Sequence, residues 1–397
     1  GARAIGAREG FVYVRQEYPL ARARLQKAME QAREYGLLGK DILGTGMEFD
    51  IAIVQGAGAF VCGESTALMA SLEGKVGEPR AKYIHTVEFG YKDRPSNLNN
   101  VETWANVPLI IRRGADWFTS MGTGDVSENP WNGSSGTKVF SLSGTVNNTG
   151  LIEVPMGISL REIVFEIGGG IPKNRKFKAV QTGGPSGGFL PETCLVLPVD
   201  FDSLTEAGTM MGSGGMVVAD EQTCMVEAAR FFIDFLTEES CGKCVPCREG
   251  LRSSMDVLTR ITQGQGRPDD TDVLHEIGEV MQDCCLCALG TSAPNPVLST
   301  IRYFRDEYDA HIFHKVCPAG VCKELIEYAI DPIKCDGCHA CVAPCSVDAL
   351  TGEVKELHTL DQGKCIKCGA CIEVCTRDAI LVQPRHREAE FTTAGSA

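Results

Sequence analysis

The sequence predicts a multidomain α/β and α+β protein of 397 residues, organised as four units and a short tail. Three observations carry that reading. Strand-like and helix-like segments alternate over residues 1–137 around a Gly-rich turn, the pattern of an α/β unit. Residues 224–397 hold 17 of the 19 cysteines, most of them in C-x-x-C runs. One such run recurs at a period of 30 residues, from Cys335 to Cys365, which marks an internal duplication.

The elements follow in order. Residues 11–14 (FVYV) read as a strand, and Leu20 to Tyr35 as a helix stopped by Gly36. Residues 50–54 (DIAIV) form a second strand, and GAGAFVCGE turns from it into a helix from Ser65 to Leu72. Val101 to Arg113 is a further helix. Residues 114–137, rich in Gly, Ser, Asn and Trp, read as a linker or surface loop. Residues 138–200 read as a small α+β unit. It has a strand at 138–143, a helix from Ser159 to Ile167 and a strand at 177–181 that ends in TGGPSGG. Ser159 with Glu162 three residues on is a capping box. Residues 201–330 read as helical, mainly Glu221 to Tyr308 with a break at 264–270. Residues 331–384 form the duplicated cysteine unit, and 385–397 a polar tail.

Composition excludes some classes. The formal net charge of −14 argues against a nucleic-acid partner, because phosphate binding needs a basic surface. No apolar run reaches the roughly 18 residues of a membrane span. No signal peptide opens the chain, and without an initiator Met it reads as a fragment that starts inside a domain. Short C-x-x-C runs in a large acidic chain fit metal ligation in a reducing, cytoplasmic setting better than a disulfide scaffold.

The chemistry lies in the cysteine spacing. Cys335, Cys338, Cys341 and Cys345 form one C-x-x-C-x-x-C-x-x-x-C run; Cys365, Cys368, Cys371 and Cys375 form the other. Two-residue gaps aim three thiolates at three corners of a 4Fe–4S cubane, and in two-cluster proteins the fourth comes from the other run. One cluster is therefore expected on Cys335, Cys338, Cys341 and Cys375. The other is expected on Cys365, Cys368, Cys371 and Cys345. Ser346 and Thr376 stand where a Pro usually follows. A pair of zinc knuckles is the weaker alternative. A third site opens at Cys241, Cys244 and Cys247. Spacing leaves its fourth ligand open among Cys284, Cys285 and Cys287.

Three motifs in order then carry a resemblance. ESCGKCVPCREG (239–250), GAGAFVCGESTALMAS (56–71) and LNNVET (98–103) resemble signatures of the NADH-binding flavoprotein subunit of respiratory complex I and its hydrogenase relatives. With the appended cysteine unit and TSAPNPVLSTIRYFRDEY (291–308), the chain looks most like the flavoprotein beta subunits of NAD(P)-dependent, electron-bifurcating iron–iron hydrogenases. The resemblance implies that 1–137 is an FMN- and nucleotide-binding unit, incomplete at its N-terminus because a first Gly-rich flavin loop should precede residue 1. It also implies that the insert is β-grasp-like and that the tail unit is ferredoxin-like.

Site residues follow from the same resemblance. Cys287, before Ala-Leu-Gly, becomes the fourth ligand of the third cluster. Gly63, Glu64 and Ser65 match positions lining the flavin. Leu98, Asn99 and Asn100 match the segment on its polar edge and phosphate arm, and Lys82 a position near the nicotinamide nucleotide. Ser65 stands where the family often has a second acid, and Phe60 where it often has Tyr. Cys317 and Cys322 form a C-x4-C hairpin with His311 six residues upstream; His314 is the rival imidazole. Cys224, added because DEQTCMVEAARFF resembles the hydrogenase group, would complete a closed structural zinc site.

The implied function is oxidation or reduction of NAD(H) or NADP(H) through FMN, with single electrons passed along three 4Fe–4S clusters. No side chain is expected to act as acid or base. The implied partners are a 2Fe–2S thioredoxin-like subunit, a catalytic iron–sulfur subunit and ferredoxin. The alternatives are the beta subunit of an NAD-linked formate dehydrogenase or complex I-like enzyme, and a flavin-free ferredoxin-like relay.

Overall fold

The computed structural model describes residues 1–81, 83–124 and 133–385. It divides into two compact units. The first comprises residues 1–106, 237–248 and 283–291; the second comprises 107–236, 249–282 and 292–397.

In the first unit, β1 (Glu9–Val14) and β2 (Asp50–Gln55) pair in parallel, with Phe11 opposite Ala52. The crossover between them carries the Pro19–Glu34 helix, as a parallel pair requires. Pro19 opens that helix where its missing N–H costs nothing. After β2 the Gly-rich segment leads through a short 3-10 turn, Phe60–Gly63, into the Ser65–Leu72 helix. The Val101–Arg113 helix begins at the residue the sequence marks. The stretch read as a linker includes a short helix, Ala115–Thr119, while residues 125–132 lie outside the described residues.

The second unit is centred on a five-stranded sheet. Its strands are β3 (Thr137–Gly144), β4 (Gly150–Pro155), β5 (Phe177–Thr182), β6 (Phe189–Pro191) and β7 (Gly215–Asp220), in the order β4-β3-β7-β5-β6. β7 runs parallel to β3 and antiparallel to β5, so the last of the five in the chain is the central one. Residues 215–220 therefore belong to the sheet, and not to the helical region expected from residue 201 on. Their flanking glycines hid them: Gly212 and Gly214 take positive φ, and Gly214 sits where a Cβ would meet the Val139 carbonyl at 2.4 Å. The helix that starts after Ser159 packs on the sheet, and its capping box forms as expected. The Ser159 N–H donates to Glu162 Oε2 at 3.0 Å and the Glu162 N–H to Ser159 Oγ at 3.2 Å. The helix closes on i→i+5 bonds, Gly168 N–H to the Ile163 carbonyl at 2.9 Å.

Phe140, Leu142, Leu160, Ile163, Leu190 and Met216 form the centre of this core, each at most 1% exposed. Leu160→Ala should cost about 2–5 kcal/mol, the range for an internal cavity. A lowered midpoint in a denaturant titration of the whole protein checks it.

The helices Met225–Glu239, Val245–Thr262, Asp270–Cys284 and Asn295–Tyr303 follow. Arg260 forks onto the fully buried Asp270, whose carboxylate also accepts the Arg267 N–H at 2.8 Å, fixing the turn between the second and third. The C-terminal unit is closed by β8 (Ile326–Ile330) against β11 (Ile380–Pro384), antiparallel, with Tyr328 opposite Val382. β9 (Leu350–Thr351) and β10 (Thr359–Leu360) make a second small pair. No helix among the described residues is long and apolar enough to cross a membrane.

Candidate functional site

In the C-terminal unit the 30-residue repeat reaches the backbone. Asp331 and Asp361 each open a cysteine loop: their carbonyls accept the N–H of Cys335 at 3.0 Å and of Cys365 at 3.1 Å. Positive φ recurs at Gly337 and Lys367, at His339 and Gly369, and at Asp348 and Asp378. The fourth cysteine of each run is held alike. Cys345 Sγ accepts the Ala349 N–H at 3.2 Å, and Cys375 Sγ the Ala379 N–H at 3.3 Å. Such N–H···S contacts favour thiolate over thiol. Cys335, Cys338 and Cys341 line one cavity together with Cys375. Cys365, Cys368 and Cys371 line a second together with Cys345. Each cavity thus presents four thiols, three from one run and one from the other, a donor set that fits a 4Fe–4S cubane.

In the first unit Cys241, Cys244, Cys247 and Cys287 are brought together. Burial pushes the Cys247 thiol up to about 11, and the neighbouring sulfurs of Cys244, Cys287 and Cys241 add to the shift. Cys285 is also buried here, against Cys244 and Cys247, while Cys284 is exposed. The two buried candidates differ in their surroundings. Cys287, raised chiefly by burial, is partly offset by the N–H groups of Gly290 and Leu289 in the turn that follows. Burial and nearby sulfurs raise Cys285 without such help. The cluster loop is braced by Arg248, whose Nη1 donates to the Gly242 carbonyl at 2.6 Å.

Within the same unit the Gly-rich segment lies against this loop. The Phe60 N–H donates to Glu239 Oε2 at 2.9 Å, and Lys243 Nζ to the Pro79 carbonyl at 3.0 Å. Glu64 caps the Ser65–Leu72 helix, accepting from the N–H of Thr66 at 2.9 Å and of Ala67 at 2.8 Å. The start of this helix is thus occupied by the chain's own carboxylate. Ser65 Oγ donates to Glu64 at 3.3 Å. Gly63 is exposed, with no atom within 4 Å of where a Cβ would stand, so a planar group has backbone access there. Leu98, Asn99 and Asn100 form an exposed loop just before the Val101–Arg113 helix, and Asn99 Nδ2 donates to Asn97 Oδ1 at 2.7 Å. An open glycine and an unpacked amide loop are compatible with a flavin. Lys82 lies outside the described residues.

In the second unit Cys224, His311, Cys317 and Cys322 converge, all buried, with their ligand atoms within 4.8 Å of one another. His311 Nε2 is 3.4 Å from Cys224 Sγ and 3.3 Å from Cys322 Sγ; the two sulfurs are 3.8 Å apart. Tetrahedral zinc with bonds of about 2.3 Å to sulfur and about 2.0 Å to nitrogen would set these edges at about 3.8 and about 3.5 Å. His311 Nδ1–H donates to the Glu307 carbonyl at 2.7 Å, which leaves the Nε2 lone pair for a metal. Glu307 in turn accepts the Met225 N–H at 3.0 Å and pairs with Lys178 at 2.7 Å. Hydrogen bonds from Cys224 and Cys322 push Cys317 down, while contact with the Cys317 thiolate pushes Cys224 up. His314 is not part of the group.

Comparison with known proteins matches the chain to three family descriptions. Residues 1–109 match the Nuo51 FMN-binding domain, 227–311 the NADH-ubiquinone oxidoreductase-F iron–sulfur binding region, and 327–376 a 4Fe-4S dicluster domain. The NADP-reducing hydrogenase subunit HndC of Solidesulfovibrio fructosivorans is 53% identical over 358 residues, 90% of this chain and 71% of that protein. The chain belongs to the NADH-ubiquinone oxidoreductase-F family of FMN and iron–sulfur proteins. A further member, the F 2 subunit of NADH-quinone oxidoreductase from Rhizobium meliloti, is 46% identical over 80% of this chain and 73% of its own length. Among solved structures, an NAD+-reducing [NiFe]-hydrogenase in the H2-reduced state superposes with a TM-score of 0.68 at 34% identity. That match covers 78% of this chain and 50% of the hydrogenase chain.

The matched ranges take in Gly63 to Ser65, Leu98 to Asn100, the Cys241 to Cys287 site and all eight cysteines of the dicluster unit. Cys224, Cys317 and Cys322 fall outside them. For a member of this family, three contacts were hidden in the sequence. Glu239 ties the cluster loop to Phe60 across 179 positions. Glu307 orders the His311 site, and His339 bonds His358. An acid directly before SCGKC is the only visible trace of the first; the others had none.

Proposed function

We propose that this protein exchanges hydride with NAD(H) or NADP(H) through FMN and passes single electrons to 4Fe–4S clusters, as part of a hydrogenase-type complex in the cytoplasm. One observation carries the reading: the FMN-matching segment and the Cys241, Cys244, Cys247 and Cys287 thiols share one compact unit, tied by Glu239 to Phe60. Bound FMN would supply the conversion of a two-electron hydride into the single electrons that iron–sulfur sites accept. The chain's part is positional. Gly63 leaves room for the flavin plane, Glu64 and Ser65 shape the turn beneath it, and Leu98, Asn99 and Asn100 offer amides to its polar edge. Lys82 is assigned to the nucleotide. Electrons then pass to ferredoxin or a partner through the clusters on Cys335, Cys338, Cys341 and Cys375, and on Cys365, Cys368, Cys371 and Cys345.

The finer assignments belong to the same proposal. The insert at 138–200 is read as β-grasp-like, and its first strand β3 pairs in parallel with β7, which follows it in the chain. Cys224, His311, Cys317 and Cys322 are read as a structural zinc site, because their spacing suits a tetrahedral ion. The partners are read as a 2Fe–2S thioredoxin-like subunit and a catalytic iron–sulfur subunit. Electron bifurcation is tested by whether the complex needs NAD(P)H and ferredoxin together.

The decisive experiment reduces full-length protein anaerobically with NADH or NADPH and follows flavin and cluster absorption. Bleaching of both is expected. Intact clusters without extractable FMN would instead leave a ferredoxin-like relay. Glu64→Ala should cost about 1 kcal/mol through loss of the helix cap and lower the FMN content; flavin stoichiometry and thermal unfolding check it.

A further inference from the structure

The duplication of the dicluster unit makes each cluster cavity a control for the other. At an offset of 30 residues the two linings correspond, cysteine for cysteine, with Ile330 answering Leu360, Ala379 answering Ala349 and Ile380 answering Leu350. The cavities differ where they are polar. The Cys335-run cavity is lined by Asp336, His339, His358 and Arg377. The same places in the Cys365-run cavity hold Ile366, Gly369, Tyr328 and Val347. Asp336 and Arg377 are ion-paired at 2.8 Å, a neutral but strongly dipolar unit.

The imidazoles form an ordered chain. His358, 2% exposed, donates from Nδ1 to the Glu356 carbonyl at 3.0 Å, so its Nε2 accepts from His339 Nδ1–H, also at 3.0 Å. In the other cavity the Tyr328 hydroxyl is committed to the backbone, donating to the Lys367 carbonyl at 3.2 Å. Lys367 adds one cation there, but its ammonium sits at an exposed hydrogen bond to the Lys323 carbonyl, where solvent and salt screen it. His339 holds φ +66, a region its counterpart Gly369, at φ +85, enters without the cost of a Cβ.

A 4Fe–4S cluster gains a negative charge on reduction, and a polar surround stabilises the more charged form, raising the potential. We infer that the His339–His358 pair makes the cluster on Cys335, Cys338, Cys341 and Cys375 the more easily reduced of the two. An electron arriving on the cluster of Cys365, Cys368, Cys371 and Cys345 then moves downhill to its neighbour. The exchange oxidises one cluster as it reduces the other, and no bond or proton changes hands. His339 and His358 are positioning residues in this step. The inference rests on the proposal that these eight cysteines hold two clusters.

The test is an EPR-monitored redox titration of the full-length protein, with iron determined on the same samples. The unaltered protein should show two separated midpoints for the dicluster unit. His339→Gly, which suits the existing backbone, should lower the higher midpoint. The reduced-to-oxidised ratio of that cluster at fixed poise should fall about tenfold, or about 59 mV for one electron. His358→Tyr should act in the same direction, and Tyr328→His should raise the lower midpoint. Unshifted midpoints in His339→Gly and His358→Tyr, or a shift of the lower midpoint by His339→Gly, would overturn the inference. Iron content too low for two clusters in the unaltered protein would instead overturn the cluster assignment beneath it.

Discussion

Cys375→Ser should abolish the same cluster as Cys335→Ser, although the two residues belong to different runs. The reason is the crossing of the fourth ligand. Cys375 faces the cavity of Cys335, Cys338 and Cys341, while Cys345 faces that of the other run. Each single replacement should remove about four irons per chain. EPR on Cys345→Ser and Cys365→Ser should show the complementary loss, again as a matched pair. Pairing by run, with Cys375→Ser resembling Cys365→Ser, would contradict the geometry. Structural collapse would spoil the comparison, but the two ladders β8–β11 and β9–β10 do not use the cysteine side chains.

His311→Ala is expected to release one zinc per chain and to cost more stability than any surface change. Binding of a structural zinc is worth roughly 10–16 kcal/mol in small peptides, so even a part of it exceeds a typical substitution. Here the loss would also strand three buried sulfurs and break the bond from His311 to the Glu307 carbonyl. Metal analysis should show iron retained and zinc lost, with a lower Tm. The pH dependence has a fixed sign. The ligands bind metal as thiolates and neutral imidazole, so acidification adds protons to the metal-free form and weakens the site. Zinc release should therefore grow as pH falls. Purified protein with full iron and no zinc would remove the zinc assignment while leaving the geometric cluster in place.

What the sequence made legible was local. The Ser65–Leu72 and Val101–Arg113 helices begin and end at the residues read from the sequence. Both C-x-x-C runs could be read because three ligands within seven positions define a loop. Contacts at long separation could not. β7 is short, glycine-flanked and stabilised only by partners more than 30 residues away. Cys224 and Cys322 meet across 98 positions, and only likeness to other proteins suggested the pairing. Between Cys285 and Cys287 the spacing was silent, and the difference lies in backbone N–H groups that point at one sulfur. The role of Glu64 as the cap of the Ser65–Leu72 helix was not legible either, because it rests on where one side chain turns back onto the backbone.

The β8–β11 ladder has a consequence for how such chains are assembled. It pairs Ile326 with Pro384 and Ile330 with Ile380, so chain entry and exit of the dicluster unit lie side by side on one two-stranded edge. A module whose two ends meet can be grafted onto a host, or excised from it, at a single seam. The same seam sets its coupling to the host: Cys322 precedes β8 by only a few residues, and Cys335 follows it as closely. The strand is therefore the short connection between the buried four-ligand group and the first cluster loop.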